Sequence, residues 1–106
     1  MSALTQHPLS AAFPSMPEDE LNALAGDIKT HGLHSAITIY KGAVLDGWHR
    51  YRACILAGVN PRTMEYKGTD PVAFVKSANW HRRHMTESQR AMAQVALSEW
   101  RESGVT

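Results

Sequence analysis

The segment Asp46-Gly47-Trp48-His49-Arg50-Tyr51-Arg52-Ala53 joins a glycine turn to an imidazole and two guanidinium groups. The run Ala43-Val44-Leu45-Asp46 before it reads as a strand, and the stretch after Gly47 reads as a helix. The turn therefore presents a helix N-terminus, where backbone N–H groups lack intrahelical acceptors and the dipole is positive. That dipole disfavours cations. His49, Arg50 and Arg52 fit there if an anion occupies the turn, and phosphate is the usual anion at such a place. The competing reading is three exposed, merely tolerated basic side chains, since no Walker-type or G-x-G-x-x-G pattern is present. Asp46 reads either as a contact to the turn or to a metal-bound nucleotide, or as a cap of the helix.

A second basic segment, Asn79-Trp80-His81-Arg82-Arg83-His84, spans the end of one helix and the start of the next. Arg and His are electrostatically welcome at a helix C-terminus, so simple capping competes with a second arm over the same anion or a surface for DNA phosphates. His31-x-x-His34 and His81-x-x-His84 have ligand-like spacing, but no cysteine is near and H-E-x-x-H is absent, which argues against zinc. Cys54 sits inside a helical pattern and reads as a buried structural thiol.

The elements that must position these residues are well marked. Ser15-Met16-Pro17-Glu18 reads as a capping box, followed by Leu21, Leu24, Ala25 and Ile28 on one helical face and a stop at Gly32. Two β-rich runs, Ala36–Tyr40 and Ala43–Asp46, flank Lys41-Gly42 and read as a hairpin. The helix opened by Gly47 closes at Gly58, with Trp48, Tyr51 and Ile55 on one face. Arg62–Tyr66 reads as a third core strand. Asp70-Pro71 starts a helix with Val72, Val75 and Asn79 on one side. Thr86-Glu87-Ser88-Gln89 is a second capping box, opening a last helix with Met92, Val95, Ala96 and Trp100 on one face. The expected fold is a small mixed α/β sheet with flanking helices and a helical C-terminal end.

Composition sets the outer bounds. One domain is expected of 106 residues, and 43% hydrophobic with 20% charged residues is a globular composition. A single cysteine excludes a disulfide framework. No signal peptide or membrane span is expected, which makes the cytoplasm the expected compartment. Residues 1–46 carry two lysines against five carboxylates, net −3, and residues 47–106 carry nine basic against five acidic residues, net +4. A polyanion would be met by the second half.

Across residues 7–100 the sequence resembles the N-terminal domain of ParB-type partition proteins, within the ParB/sulfiredoxin fold. Three motifs carry the resemblance. Gly32-Leu33-His34-Ser35-Ala36-Ile37 stands at the family's glycine and Q-P-I-like step. Gly47-Trp48-His49-Arg50-Tyr51-Arg52-Ala53 stands at the G-E-R-R-x-R-A turn. Ala78-Asn79-Trp80-His81-Arg82 stands at E-N-x-Q-R, and an R-H-x-T-E-S-Q-R-A continuation follows. The resemblance implies one nucleotide-binding domain, with residues 7–84 as α/β core and 86–103 as C-terminal helix. It implies a pocket for CTP or ATP with Mg2+, formed by Gly32, Ser35, Asp46, Gly47, Trp48, His49, Arg50, Asn79, His81 and Arg82, with Asn79 helping to hold the metal. DNA contact would run through Arg82, Arg83 and Arg90. In sulfiredoxin the turn is G-C-H-R; Trp48 replaces its catalytic cysteine, which excludes that activity. Ala78 and Trp48 replace two family glutamates, so hydrolysis is expected to be slow at most.

The expected function is nucleotide binding in DNA partition, clamp formation or regulation on a plasmid, phage or mobile element. DNA would be reached through a longer protein or a partner, with a homodimer as an open assembly. The alternatives are a ParB-fold enzyme (nuclease, NTPase or kinase) and a stand-alone inhibitory module with a vestigial pocket. A nuclease normally uses clustered carboxylates, and Asp46 and Glu87 alone lie near the basic segments.

Overall fold

The hairpin organises the sheet. In a computed structural model, which describes residues 4–79 and 85–100, strands β2 (Ile37–Tyr40) and β3 (Ala43–Asp46) pair antiparallel. Lys41 and Gly42 join them with φ of 51° and 81°. Positive φ at both turn residues is the twist-matched geometry of a two-residue hairpin. A bulge between Thr38 and Ile39 shifts the register. Two outer strands lie parallel to the hairpin, β1 (Thr5–Gln6) on β3 and β4 (Thr63–Glu65) on β2. The order is therefore β1-β3-β2-β4, a mixed four-stranded sheet with flanking helices.

Among the described residues five helices flank it: α1 (Pro8–Ala11), α2 (Glu18–His31), α3 (Trp48–Ala57), α4 (Pro71–Asn79) and α5 (Glu87–Glu99). Adjacent Val44 and Leu45 are both fully buried, as expected where both sheet faces are covered. Leu45 packs with Leu9, Phe13, Val75, Ala93 and Leu97, joining β3 to α1, α4 and α5. Val44 packs with Ile37, Ile39 and Tyr51, joining the other face to α3. Behind α3, its Ala53 and Cys54 meet Leu21, Ala25 and Ile28 of α2. Burial pushes the Cys54 thiol above its ordinary range, and nearby Arg50 opposes this in part. The cysteine is thus a packed, protonated core group.

Helix ends mostly obey local rules. Gly32 and Gly58 end α2 and α3 with φ of 84° and 71°. The Asp70 carboxylate accepts from Ala73 N at 3.1 Å. The Thr86/Gln89 capping box is complete, at 3.0 and 3.1 Å.

Six expectations need correction. No Ser15 capping box forms: α2 begins at Glu18 behind Pro17, without a side-chain cap, so Ser15 is too far upstream. Ile55 does not share the buried face of Trp48 and Tyr51 but is 59% exposed, because Ala53 and Cys54 turn that side of α3 toward α2. The strand expected over Arg62–Tyr66 is a three-residue edge, exposed throughout, rather than a core strand. Helix α5 docks through Ala93 and Leu97, with Trp100 half-buried beyond them, leaving Met92 and Val95 72% and 54% exposed. Asp46 makes no cap bond to α3. The sheet begins at Thr5, and neither β1 nor α1 was expected. Among the described residues, no helix is long and apolar enough to cross a membrane.

Candidate functional site

At the junction of β3 and α3, Gly47 is left-handed with φ 96°. A Cβ there would stand 2.9 Å from Arg50 Nη2 and 3.3 Å from Ile37 Cγ1, so a side chain would be strained by conformation and would press on both residues. The first intrahelical bond runs from Tyr51 N to Gly47 O. The amides of Trp48, His49 and Arg50 therefore have no acceptor within the helix.

Trp48, His49 and Arg50 line a cleft of about 170 Å³ together with Asp46, Gly47, Ala78 and Asn79, and with Ser10, Met16 and Leu24. The fold thus brings the glycine turn and the end of α4 together, although 32 residues of sequence separate Gly47 from Asn79. Asn79 donates from Nδ2 to Val75 O at 2.9 Å, which holds its amide against α4. Trp48 stacks on Tyr51 at 5.6 Å.

Among the described residues, Arg50 is the cation that lines the cleft. Its Nη2 donates to Ala36 O at 3.4 Å and lies 3.6 Å from Asp46 Oδ2. Both contacts are long, and Arg50 Nε is buried without a hydrogen-bond partner. The guanidinium is therefore held in place but poorly satisfied. His49 lines the cleft, is buried, and its Nε2 accepts from Met16 N at 3.0 Å. Arg52, two residues on, is exposed and does not line the cleft.

Other expected residues lie elsewhere. Gly32 and Ser35 do not line the cleft; Gly32 ends α2, and Ser35 is exposed in the following bend. Arg90 is half-buried in the first turn of α5. His81, Arg82 and Arg83 lie outside the described residues. Ser10, Met16 and Leu24 were missed as cleft residues: Ser10 belongs to the four-residue α1, which carries no chemical motif, and Met16 and Leu24 read only as a helix start and a helix face.

Asp46 and Asn79 are the oxygen-bearing side chains that would hold a divalent ion here. Among the described residues no group of three or more His, Cys, Asp or Glu is arranged for a metal. Two protein oxygens fit magnesium, which normally takes one or two protein ligands plus substrate phosphates. His31 and His34 instead meet Asp27 at 3.0 and 3.8 Å on an exposed surface. A larger hollow of about 630 Å³ on the other flank of α3 is lined by Leu4, Tyr51, Cys54, Ile55, Val59, Asn60 and Thr63 with neighbours, and among the described residues no charged side chain lines it. No family model matches the chain, and no curated protein or solved structure matches it either.

Proposed function

We propose that the chain is a ParB-like nucleoside-triphosphate-binding domain whose phosphate site is the cleft at the N-terminus of α3. Arg50 carries this reading. It is an under-satisfied guanidinium in the first turn of α3, in a cleft that Asn79 at the end of α4 also lines. A phosphate group would supply the acceptors that Ala36 O and Asp46 provide only at long range. At about 170 Å³ the cleft suits a phosphate tail and is smaller than the ~300–1,000 Å³ of pockets that enclose a whole ligand, so the nucleoside extends outside it.

CTP or ATP with Mg2+ is the proposed ligand, with Asp46 and Asn79 on the metal side. When bound, the ion would neutralise phosphate charge beside the Asp46 carboxylate. The role served is DNA partition, clamp formation or regulation, with DNA met by the basic second half through Arg82, Arg83 and Arg90. Calorimetry with ATP, CTP, GTP and UTP, each with Mg2+, tests the reading. At least one should bind, and Arg50→Ala should remove the binding. A second reading, an interaction module, is favoured by the exposed Met92 and Val95 on α5; silence of all four nucleotides would favour it.

A further inference from the structure

The hollow on the other flank of α3 has the size and chemistry of a second site. Its volume of about 630 Å³ falls within the ~300–1,000 Å³ typical of sites that enclose a small molecule. Leu4, Ile55, Val59 and Pro61 give it apolar walls. Gly58 ends α3 left-handed and Val59 N donates to Cys54 O at 2.9 Å, which fixes the loop wall. Tyr51 and Cys54, 7% and 0% exposed, form the buried side.

One polar group in this hollow is only half used. The Tyr51 hydroxyl accepts from Leu4 N at 2.8 Å, and among the described residues nothing accepts its own proton. A phenol has one O–H to donate beside the lone pairs that accept. A buried donor left without an acceptor is costly, so an acceptor entering the hollow gains a bond the protein does not supply. Cys54 adds a thiol that burial holds in its protonated form. Among the described residues no charged side chain lines the hollow, so an ionised ligand would lose hydration without compensation.

We propose that this hollow binds a small, uncharged, mostly apolar molecule with a carbonyl-type acceptor, to which the Tyr51 hydroxyl donates. The site is separate from the phosphate cleft and does not rest on the phosphate reading.

NMR titration of the whole chain with acetophenone, a neutral aromatic ketone, tests this. The amides of Leu4, Tyr51, Cys54 and Val59 should shift together and saturate with a Kd of about 1 mM or tighter. α-Methylstyrene has the same shape, with a methylene group in place of the ketone oxygen. It should bind roughly two- to tenfold more weakly, the worth of one hydrogen bond. Benzoate should bind at least ~tenfold more weakly than the ketone. Tyr51→Phe keeps the ring that stacks on Trp48 at 5.6 Å and removes only the hydroxyl. This variant should bind ketone and hydrocarbon alike; if it does not fold, the difference between the two in the wild type decides. No saturable shift of these amides by about 10 mM ketone overturns the site. Equal binding of ketone and hydrocarbon by the wild type, a ketone preference that Tyr51→Phe retains, or benzoate binding as tight as that of the ketone overturns the assigned ligand class.

Discussion

Substituting Gly47 by alanine separates the two reasons a glycine stands there. Gly58, at the other end of α3, provides the control. Both are left-handed, with φ of 96° and 71°, so alanine pays the left-handed cost of roughly 1–2 kcal/mol at either position. Around Gly58 an added Cβ meets nothing within 4 Å. Around Gly47 it meets Arg50 Nη2 at 2.9 Å and Ile37 Cγ1 at 3.3 Å. The arginine tip can swing aside by giving up its bond to Ala36 O. Ile37 cannot, since it is fully buried against Val44 and Tyr51. Overpacking of that kind costs about 1–3 kcal/mol. Urea unfolding should therefore give a loss of about 1–2 kcal/mol for Gly58→Ala and about 2–5 kcal/mol for Gly47→Ala. Only the second should weaken tripolyphosphate binding, because only it displaces Arg50. Equal losses of stability for the two variants, or unchanged tripolyphosphate affinity in a folded Gly47→Ala protein, would refute the reasoning.

Asp46→Asn removes the carboxylate that competes with phosphate for Arg50. Calorimetry should show tripolyphosphate binding several-fold tighter without Mg2+, and loss of the advantage that Mg2+ confers on the wild type. Ala78→Glu returns a carboxylate to the cleft beside Asn79. A positioned general base contributes ~10²–10⁴-fold, so phosphate-release assays should find nucleotide hydrolysis slow in the wild type and faster in this variant. Leu45→Ala empties a fully buried position shared by β3 and three helices, and thermal or urea unfolding should report about 2–5 kcal/mol lost.

The parts of the fold fixed by local chemistry were legible in the sequence. Lys41-Gly42 specified the hairpin, Gly32, Gly47 and Gly58 marked helix boundaries, and Asp70 and Thr86 marked helix starts. These signals act over two to four residues and need no tertiary partner. What failed depends on partners. Thr5–Gln6 is a strand because β3 offers a free edge, and two residues carry no periodicity. The α5 stripe was misread because Met92, Val95 and Ala96 sit at a helical spacing that Ala93 and Leu97 share, and only the neighbours choose between them. Ile55 failed for a similar reason, since α3 buries Ala53 and Cys54 against α2 and leaves Ile55 outside.

The site divides the same way. Gly47, His49 and Arg50 were visible because a helix N-terminus rarely holds cations without cause. Asn79 lines the same cleft, and its own segment carries no signal of that without the fold that brings the end of α4 to the glycine turn. That His49 is engaged by Met16 could not be read from the sequence, because the bond spans 33 residues to a backbone amide.

The most direct measurement is the affinity of the intact chain for the four nucleoside triphosphates with Mg2+, beside that of Arg50→Ala. Arg50 makes only long contacts to Ala36 and Asp46, so its removal should leave the fold standing. A charged hydrogen bond of ~1.5–3 kcal/mol corresponds to roughly ten- to 150-fold in Kd. The account predicts that at least one nucleotide binds and that the variant weakens it by at least that range while unfolding near the wild-type temperature. Binding that the folded variant retains unchanged, or no binding by the wild type, would contradict it.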